Sequence, residues 1–573
     1  MFEQITAPIF GSLVVSAITA ALPLVLLFVL LGVFRVKAPK AALAALLLSI
    51  VLAIVGWRMP VGQTFSAVAE GAFYGLFPIL WILINALFLF KLTEATRWFE
   101  VLGRTIRSLS SDLRILAILV AFCFGALLES LAGFGAPVAI SVAMLMAAGM
   151  APLKSAIVSL LANTAPVAFG AMAAPIIALN GVTGLPISEL SAMAGRQTPF
   201  IAVVVPLILV YLVDGKRGLK QTWPIALLAG VVFGLAQFVT SNFFAVELTD
   251  VVAAIATIAA VLLMLRFWQP VPMEAAIPSG PTDVAASLDS ERPVDSAGSA
   301  PERSRVTTID PPTESGPPTE GDVQRPPARE VFMAVAPYLI IMIIFSIAQI
   351  PAVKAFLTSI GSVTFSWPGL DVVDSEGEPV AAQQFKFDHL KATGTLLLLS
   401  ALVTMAIYRI SLPRAARVYG DTLVQLKWTI VTVTAVLALS FVMNLSGQTN
   451  TLGVALASTG GFFAVLSPLI GWIGVALTGS DTASNSLFGQ LQASAAEQTG
   501  LSPVLMAATN SSAGVLSKML SLQNLAVAAA AAGLAGAENI LFRKLIGWSL
   551  VLLVFITVLV VLQSGPVLGW MVP

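Results

Sequence analysis

Leu127-Leu128-Glu129-Ser130-Leu131-Ala132-Gly133-Phe134-Gly135-Ala136-Pro137 sets a carboxylate, two glycines and a proline between two segments that are otherwise apolar enough to sit in lipid. A charge in the bilayer interior costs about 3 kcal/mol on insertion scales. Backbone groups freed by a break must be satisfied by protein or by a water-filled cavity. The stretch therefore reads as the lining of a path or pocket, not as a surface facing lipid. A second polar break, Leu477-Thr478-Gly479-Ser480-Asp481-Thr482-Ala483-Ser484-Asn485, holds a similar place in the second half of the chain.

Outward from these breaks the composition is that of a membrane protein. Hydrophobic residues make up 58% and charged residues 10% of the 573, against roughly 45–50% and 25% in soluble domains. The expected fold is all-α and polytopic. Formal net charge is zero, which gives no basis for a nucleic-acid partner or for polybasic attachment to a membrane surface. The single cysteine, Cys123, excludes an internal disulfide and a cysteine-built metal cluster, and reads as a small apolar filler. The single histidine, His389, stands in a polar segment before a membrane run and reads as a surface residue. No P-loop and no HExxH occurs, and a serine hydrolase would lack a base. The chain thus reads as neither ATP-driven nor an enzyme, and calls for no cofactor or metal.

Met1-Phe2-Glu3-Gln4 lacks the basic start of a cleavable signal, so the first apolar run reads as a retained anchor. Runs of about 20 apolar residues fall at Leu13–Phe34, Ala41–Trp57, Leu76–Phe90 and Leu113–Leu128. The next region, Val138–Met150 and Leu160–Gly170, is short and broken, as in re-entrant or discontinuous helices. Phe200–Leu212, Ile225–Phe243 and Val251–Phe267 complete the first half, residues 1–269. Residues 270–329 turn abruptly to Pro, Ser, Thr, Glu and Asp, a composition expected to be disordered. The second half, 330–573, offers runs at Val331–Ile350, Gly394–Tyr408, Trp428–Leu445, Leu452–Leu477 and Leu545–Leu562, and Asn510-Ser511-Ser512-Ala513-Gly514 marks its second interruption.

Basic residues gather in cytoplasmic loops. Arg35, Lys37 and Lys40, then Lys91 to Arg114, then Arg543 and Lys544 put the linker inside and both termini outside. On that count the run entering the Glu129 break goes outward and the run entering the Asp481 break goes inward. Two halves of about six spans with opposite polarity predict inverted-topology repeats whose broken helices meet near the bilayer midplane.

Glu129 and Asp481 are the acids this pattern places inside the apolar frame. A carboxylate removed from water takes up a proton more readily, so both are candidates for proton coupling; the structural alternative is a helix cap, especially for Asp481. Gly133 and Gly135 free backbone at the first break, where exposed helix N-termini attract anions. Asn163, Thr164, Ser480, Thr482, Asn485, Asn510, Ser511, Ser512 and Gln523 supply donors and acceptors for a substrate, although each alone could serve as an interhelical hydrogen bond. Lys518 either faces the same polar cavity or snorkels to the interface.

Four ordered segments, Gly125–Ile140, Leu161–Ala171, Leu477–Gly489 and Asn510–Gln523, resemble the L-lactate permease family, and the similarity spans nearly all of the chain outside the linker. The resemblance implies a bacterial inner-membrane symporter that takes up lactate, often glycolate, with protons. On that reading a small 2-hydroxymonocarboxylate such as L-lactate, D-lactate or glycolate binds between the breaks. Helix N-termini and Lys518 hold its carboxylate, and Glu129 takes the proton. A sodium-coupled carrier of another organic anion is the alternative, with a channel or membrane sensor further off. A homodimer is compatible with such a carrier.

Overall fold

The computed structural model describes residues 1–107, 110–131, 133, 135–271, 326–374, 377, 379–380, 383–534 and 536–573. The linker assigned to 270–329 lies almost wholly outside them. The chain is mostly helical. Among the described residues ten helices are long and apolar enough to cross a membrane, and twelve when two bent pairs are counted.

The helices in chain order begin with α1 (Leu13–Phe28), α2 (Ala38–Val55), α3 (Val61–Tyr74), α4 (Trp81–Glu94) and α5 (Arg97–Arg107). Then come α6 (Leu113–Leu131), α7 (Ala136–Ala147), α8 (Pro152–Ala162), α9 (Gly170–Thr183), α10 (Ile187–Ala194), α11 (Thr198–Phe243) and α12 (Thr249–Phe267). The second half supplies α13 (Ala328–Gln349), α14 (Pro351–Gly361), α15 (Thr393–Ile407), α16 (Leu412–Ser446), α17 (Gln448–Ala457), α18 (Phe463–Thr478) and α19 (Asp481–Thr499). It ends with α20 (Pro503–Leu520), α21 (Leu522–Ala531) and α22 (Glu538–Gln563).

Helix α2 shows how an apolar sequence sorts its faces. Leu43, Leu47, Val51 and Val55 repeat every four residues and are exposed, whereas Ala41, Ala42, Ala45, Ser49 and Ala53 are buried. A stripe of large aliphatic side chains with no protein partner is the surface lipid covers, while small residues let backbones approach. The buried face packs on α16, and Gln448 at the start of α17 hydrogen-bonds Ser49.

Several spans differ from the hydropathy reading. Leu76–Phe90 is the later part of a 34-residue unit, Val61–Glu94, whose first segment was hidden by Gln63 and Glu70. Phe200–Leu212 and Ile225–Phe243 are two limbs of α11, which leaves helical geometry at Asp214 and Gly215. Leu452–Leu477 is not one span, because a turn around Gly460 divides α17 from α18. The polar segment between α14 and α15 is also folded. Strand β2 (Ser362–Ser366) pairs antiparallel with β4 (Gln384–Asp388), and β1 (Phe2–Glu3) lies parallel to β3 (Val372–Val373).

The order of helix lengths recurs along the chain. The 34-residue α3–α4 unit, the 11-residue α5 and the 19-residue α6 precede the first break. The 35-residue α16, the 10-residue α17 and a 19-residue span, Gly460–Thr478, precede the second. After each break come one helix and then a bent pair, α8 with the 167–183 helix at 63° and α20 with α21 at 43°.

Candidate functional site

The first limb of α11 provides a ruler. At its Asp214 end, the fully buried Arg114 bonds Asp214 at 3.1 Å and Asp112 at 2.6 Å, and so fixes the start of α6. At its opposite end, Gln197 donates to Thr509 near the start of α20, and to Gln563. Helices α6 and α20 therefore enter from opposite ends of the molecule. Glu129 lies 15 residues beyond Arg114, and Lys518 nine beyond Thr509, so each lies deep between the two ends. They meet: Lys518 Nζ is 2.5 Å from Glu129 Oε1, with both side chains buried. Lys518 does not snorkel.

Glu129 is held on both oxygens. Asn163, where α8 stops, donates from Nδ2 to Oε2 at 2.9 Å. Gly170 leaves the space the carboxylate occupies, since a Cβ there would stand 3.1 Å from Oε1. Ala171, Met172 and Ala173 follow with φ of 45°, 54° and 60°, a left-handed turn that L-residues adopt only at a cost of roughly 1–2 kcal/mol each. It brings backbone of α9 against the ion pair.

Asp481 has a different setting. It stands in the first turn of α19, where Ser480 caps Ala483 N–H at 3.3 Å. Ser511 Oγ donates to Asp481 Oδ2 at 2.5 Å, while the buried Oδ1 has no protein partner. Glu129, Gly133, Val167, Gly170, Ala171 and Pro175 from the first half face Gly479, Ser480, Asp481, Thr482 and Lys518 from the second across one cleft. Its volume is about 30 Å³, room for water but not for a hydroxy acid.

Of the expected site residues, Glu129, Gly133, Ser480, Asp481, Thr482 and Lys518 line this cleft, while Asn163 and Ser511 bond its carboxylates. Gly135, at φ 85°, starts α7 and lies beside Asn524. Asn485 and Asn510 sit behind the cleft, where Asn510 Nδ2 donates to Asn485 Oδ1 at 2.9 Å and Asn485 Nδ2 donates to Pro175 O at 3.0 Å. That is the interhelical bonding role. Thr164 and Ser512 are buried, and their hydroxyls have no partner. Gln523 lies outside the cleft, in the wall of a neighbouring cavity. At the first break the helix that Gly135 starts has no side-chain cap, whereas Ser480 and Ser521 each take one N–H at the starts of α19 and α21.

Glu129 and Asp481 are not the only acids inside. Glu70 and Asp250 are also fully buried. Glu70 escaped notice because its helix looks amphipathic, and Asp250 because it follows Thr249 at a helix start and reads as a loop cap. Asp250 accepts from Gln237 at 2.9 Å, and Gln237 in turn accepts from Thr198. Gly170 and Pro175 were also missed; their only signal was a glycine and a proline inside an apolar run.

The model of a family described as L-lactate permease matches residues 16–565. The chain belongs to the L-lactate permease family. It is 40% identical over 574 residues to the glycolate permease GlcA of Escherichia coli K12, covering 98% of each chain. It is 39% identical over 592 residues to the L-lactate permease of Bacillus subtilis 168, covering 100% of each. The L-lactate permease of Escherichia coli K12 is 37% identical over 575 residues, with 98% of each covered. The L-lactate permease family consists of membrane carriers, not enzymes, and this multi-pass member shares its full length.

Proposed function

We propose that this chain takes up lactate or a related small 2-hydroxymonocarboxylate, such as glycolate, by proton symport. The observation that carries the reading is the buried Lys518–Glu129 pair joining the two halves. While Glu129 is ionised it neutralises Lys518. A proton on Glu129 removes that countercharge, and an uncompensated buried ammonium is costly, so Lys518 then attracts the substrate carboxylate. Proton plus anion leave the net charge of the cleft unchanged, which couples the two at one to one. Ser480 and Thr482 stand where they can meet the substrate hydroxyl. Because the cleft is too small for a hydroxy acid, binding needs the two halves to part.

The recurring helix lengths and the opposed entry of α6 and α20 support reading residues 1–269 and 330–573 as inverted repeats. With the basic-residue bias, both termini lie outside and the linker lies in the cytoplasm of a bacterial inner membrane. A sodium-coupled reading rests on one observation, the unpartnered Asp481 Oδ1 among the hydroxyls of Ser480, Thr482 and Ser511. Counterflow of labelled L-lactate in proteoliposomes, with imposed proton or sodium gradients, separates the two. Accumulation driven by a pH gradient alone is expected; accumulation that needs sodium and ignores the pH gradient rejects proton symport.

A further inference from the structure

Beside the Glu129–Lys518 cleft lies a second cavity of about 210 Å³. Leu31 and Pro39 at the α1–α2 turn, Trp428 and Thr432 of α16, Ser480 at the second break and Gln523 at the start of α21 line it. Ser480 lines the cleft as well, so the two spaces adjoin at the Gly479–Ser480 turn. Gly479 has φ 74°, and a Cβ on it would come within 3.2 Å of Gln523 Oε1. The α20–α21 bend, where the chain changes direction by 43°, lies directly alongside at Ser521.

On its α9 side the cleft is closed in depth. Asn485 ties α19 to Pro175 O, and a Cβ on Gly489 would overlap Leu179, so α19 and α9 stay in contact for two turns beyond Asp481. The α1–α2 side of the larger cavity also carries basic residues. Arg35, Lys37 and Lys40 flank the α1–α2 turn, Lys427 precedes Trp428, and none of the residues lining the cavity is acidic. Cations around an opening raise the local concentration of anions.

We propose that this cavity is the vestibule through which the hydroxy-acid anion passes between the cleft and the membrane face bearing Arg35, Lys37 and Lys40, with the Gly479–Ser480 turn and Gln523 as its gate. The inference rests on the transport reading above. The Ser480 hydroxyl, which accepts from Ala483 N–H, can donate to a small carboxylate, whereas Thr432 and Thr478 donate to carbonyls of their own helices and Leu31 and Trp428 keep the walls from binding it tightly.

Cys123 is fully buried, so a thiol placed in the vestibule is the only one an impermeant reagent can reach. Thr432→Cys in membrane vesicles should react with a charged methanethiosulfonate added from the linker face and not from the other. Reaction should abolish most of the counterflow, and saturating L-lactate should slow it. Modification only by a membrane-soluble maleimide would mark a lipid-filled crevice and overturn the vestibule, as would full modification that leaves counterflow intact. Gln523→Trp tests the gate: it should block counterflow while Thr432→Cys in that background still reacts, and normal counterflow would remove Gln523 from the gate. Labelling needs no substrate, so it still decides the vestibule if the unlabelled Thr432→Cys chain carries no lactate, a result that would count against the transport reading.

Discussion

The two polar breaks look alike in sequence but hold their carboxylates in opposite ways. Glu129 ends a helix and is neutralised by Lys518 from the other half of the chain. Asp481 begins a helix, where the backbone dipole favours its charge, and its one bonded oxygen takes a proton donor, Ser511, from its own half. In the proposed cycle the first arrangement changes its electrostatics when a proton or an anion arrives, whereas the second is bonded only within its own half. On the proposed function proton coupling belongs with Glu129, while Asp481 lines the second wall of the cleft.

The largest effect should come from removing the countercharge. Lys518→Met leaves Glu129 buried and unpaired, a loss of about 3–5 kcal/mol, and should lower the unfolding temperature in detergent and abolish uptake. Adding Glu129→Gln should recover the stability but not the uptake; recovery of uptake would show that the pair is only structural. Glu129→Gln alone should lose accumulation driven by a pH gradient yet keep counterflow. Protonation of Glu129 frees Lys518, so wild-type uptake should rise as external pH falls, and the variant's pH profile should be flat. An unchanged pH profile would detach the proton from Glu129.

Asp481→Asn should raise the KM for L-lactate about tenfold, equivalent to about 1.4 kcal/mol, while pH-driven accumulation survives. Loss of that accumulation in Asp481→Asn, with its retention in Glu129→Gln, would exchange the roles of the two breaks. Ser511→Ala removes one hydrogen bond from Asp481, worth about 1 kcal/mol. It should shift KM about fivefold, and a shift larger than that of Asp481→Asn would mean that Ser511 binds substrate directly.

Much of the fold was legible because the bilayer imposes a strong filter. Long apolar runs had to be helices, and polar breaks inside them had to be sheltered by protein. Runs interrupted by polar residues misled the reading: Gln63 and Glu70 concealed the first part of the Val61–Glu94 unit, and the apolar stretch at 452–477 concealed the turn between α17 and α18. The site was legible as a set of residue types near glycine breaks. Asn485 and Asn510 were indistinguishable from cleft residues, since an amide that bonds a neighbouring helix and one that meets substrate carry the same sequence signal.

By itself the sequence determined that the chain is a bundle of membrane helices with two sheltered polar interruptions, because hydropathy and backbone chemistry act on neighbours along the chain. Only the tertiary structure decided that Lys518 neutralises Glu129 across 389 positions, that Asn163 takes the other oxygen, and that Gln523 faces a separate cavity. A charge pair is set by distance in space, which falls off over a few ångströms and leaves no trace in the spacing of residues along the chain.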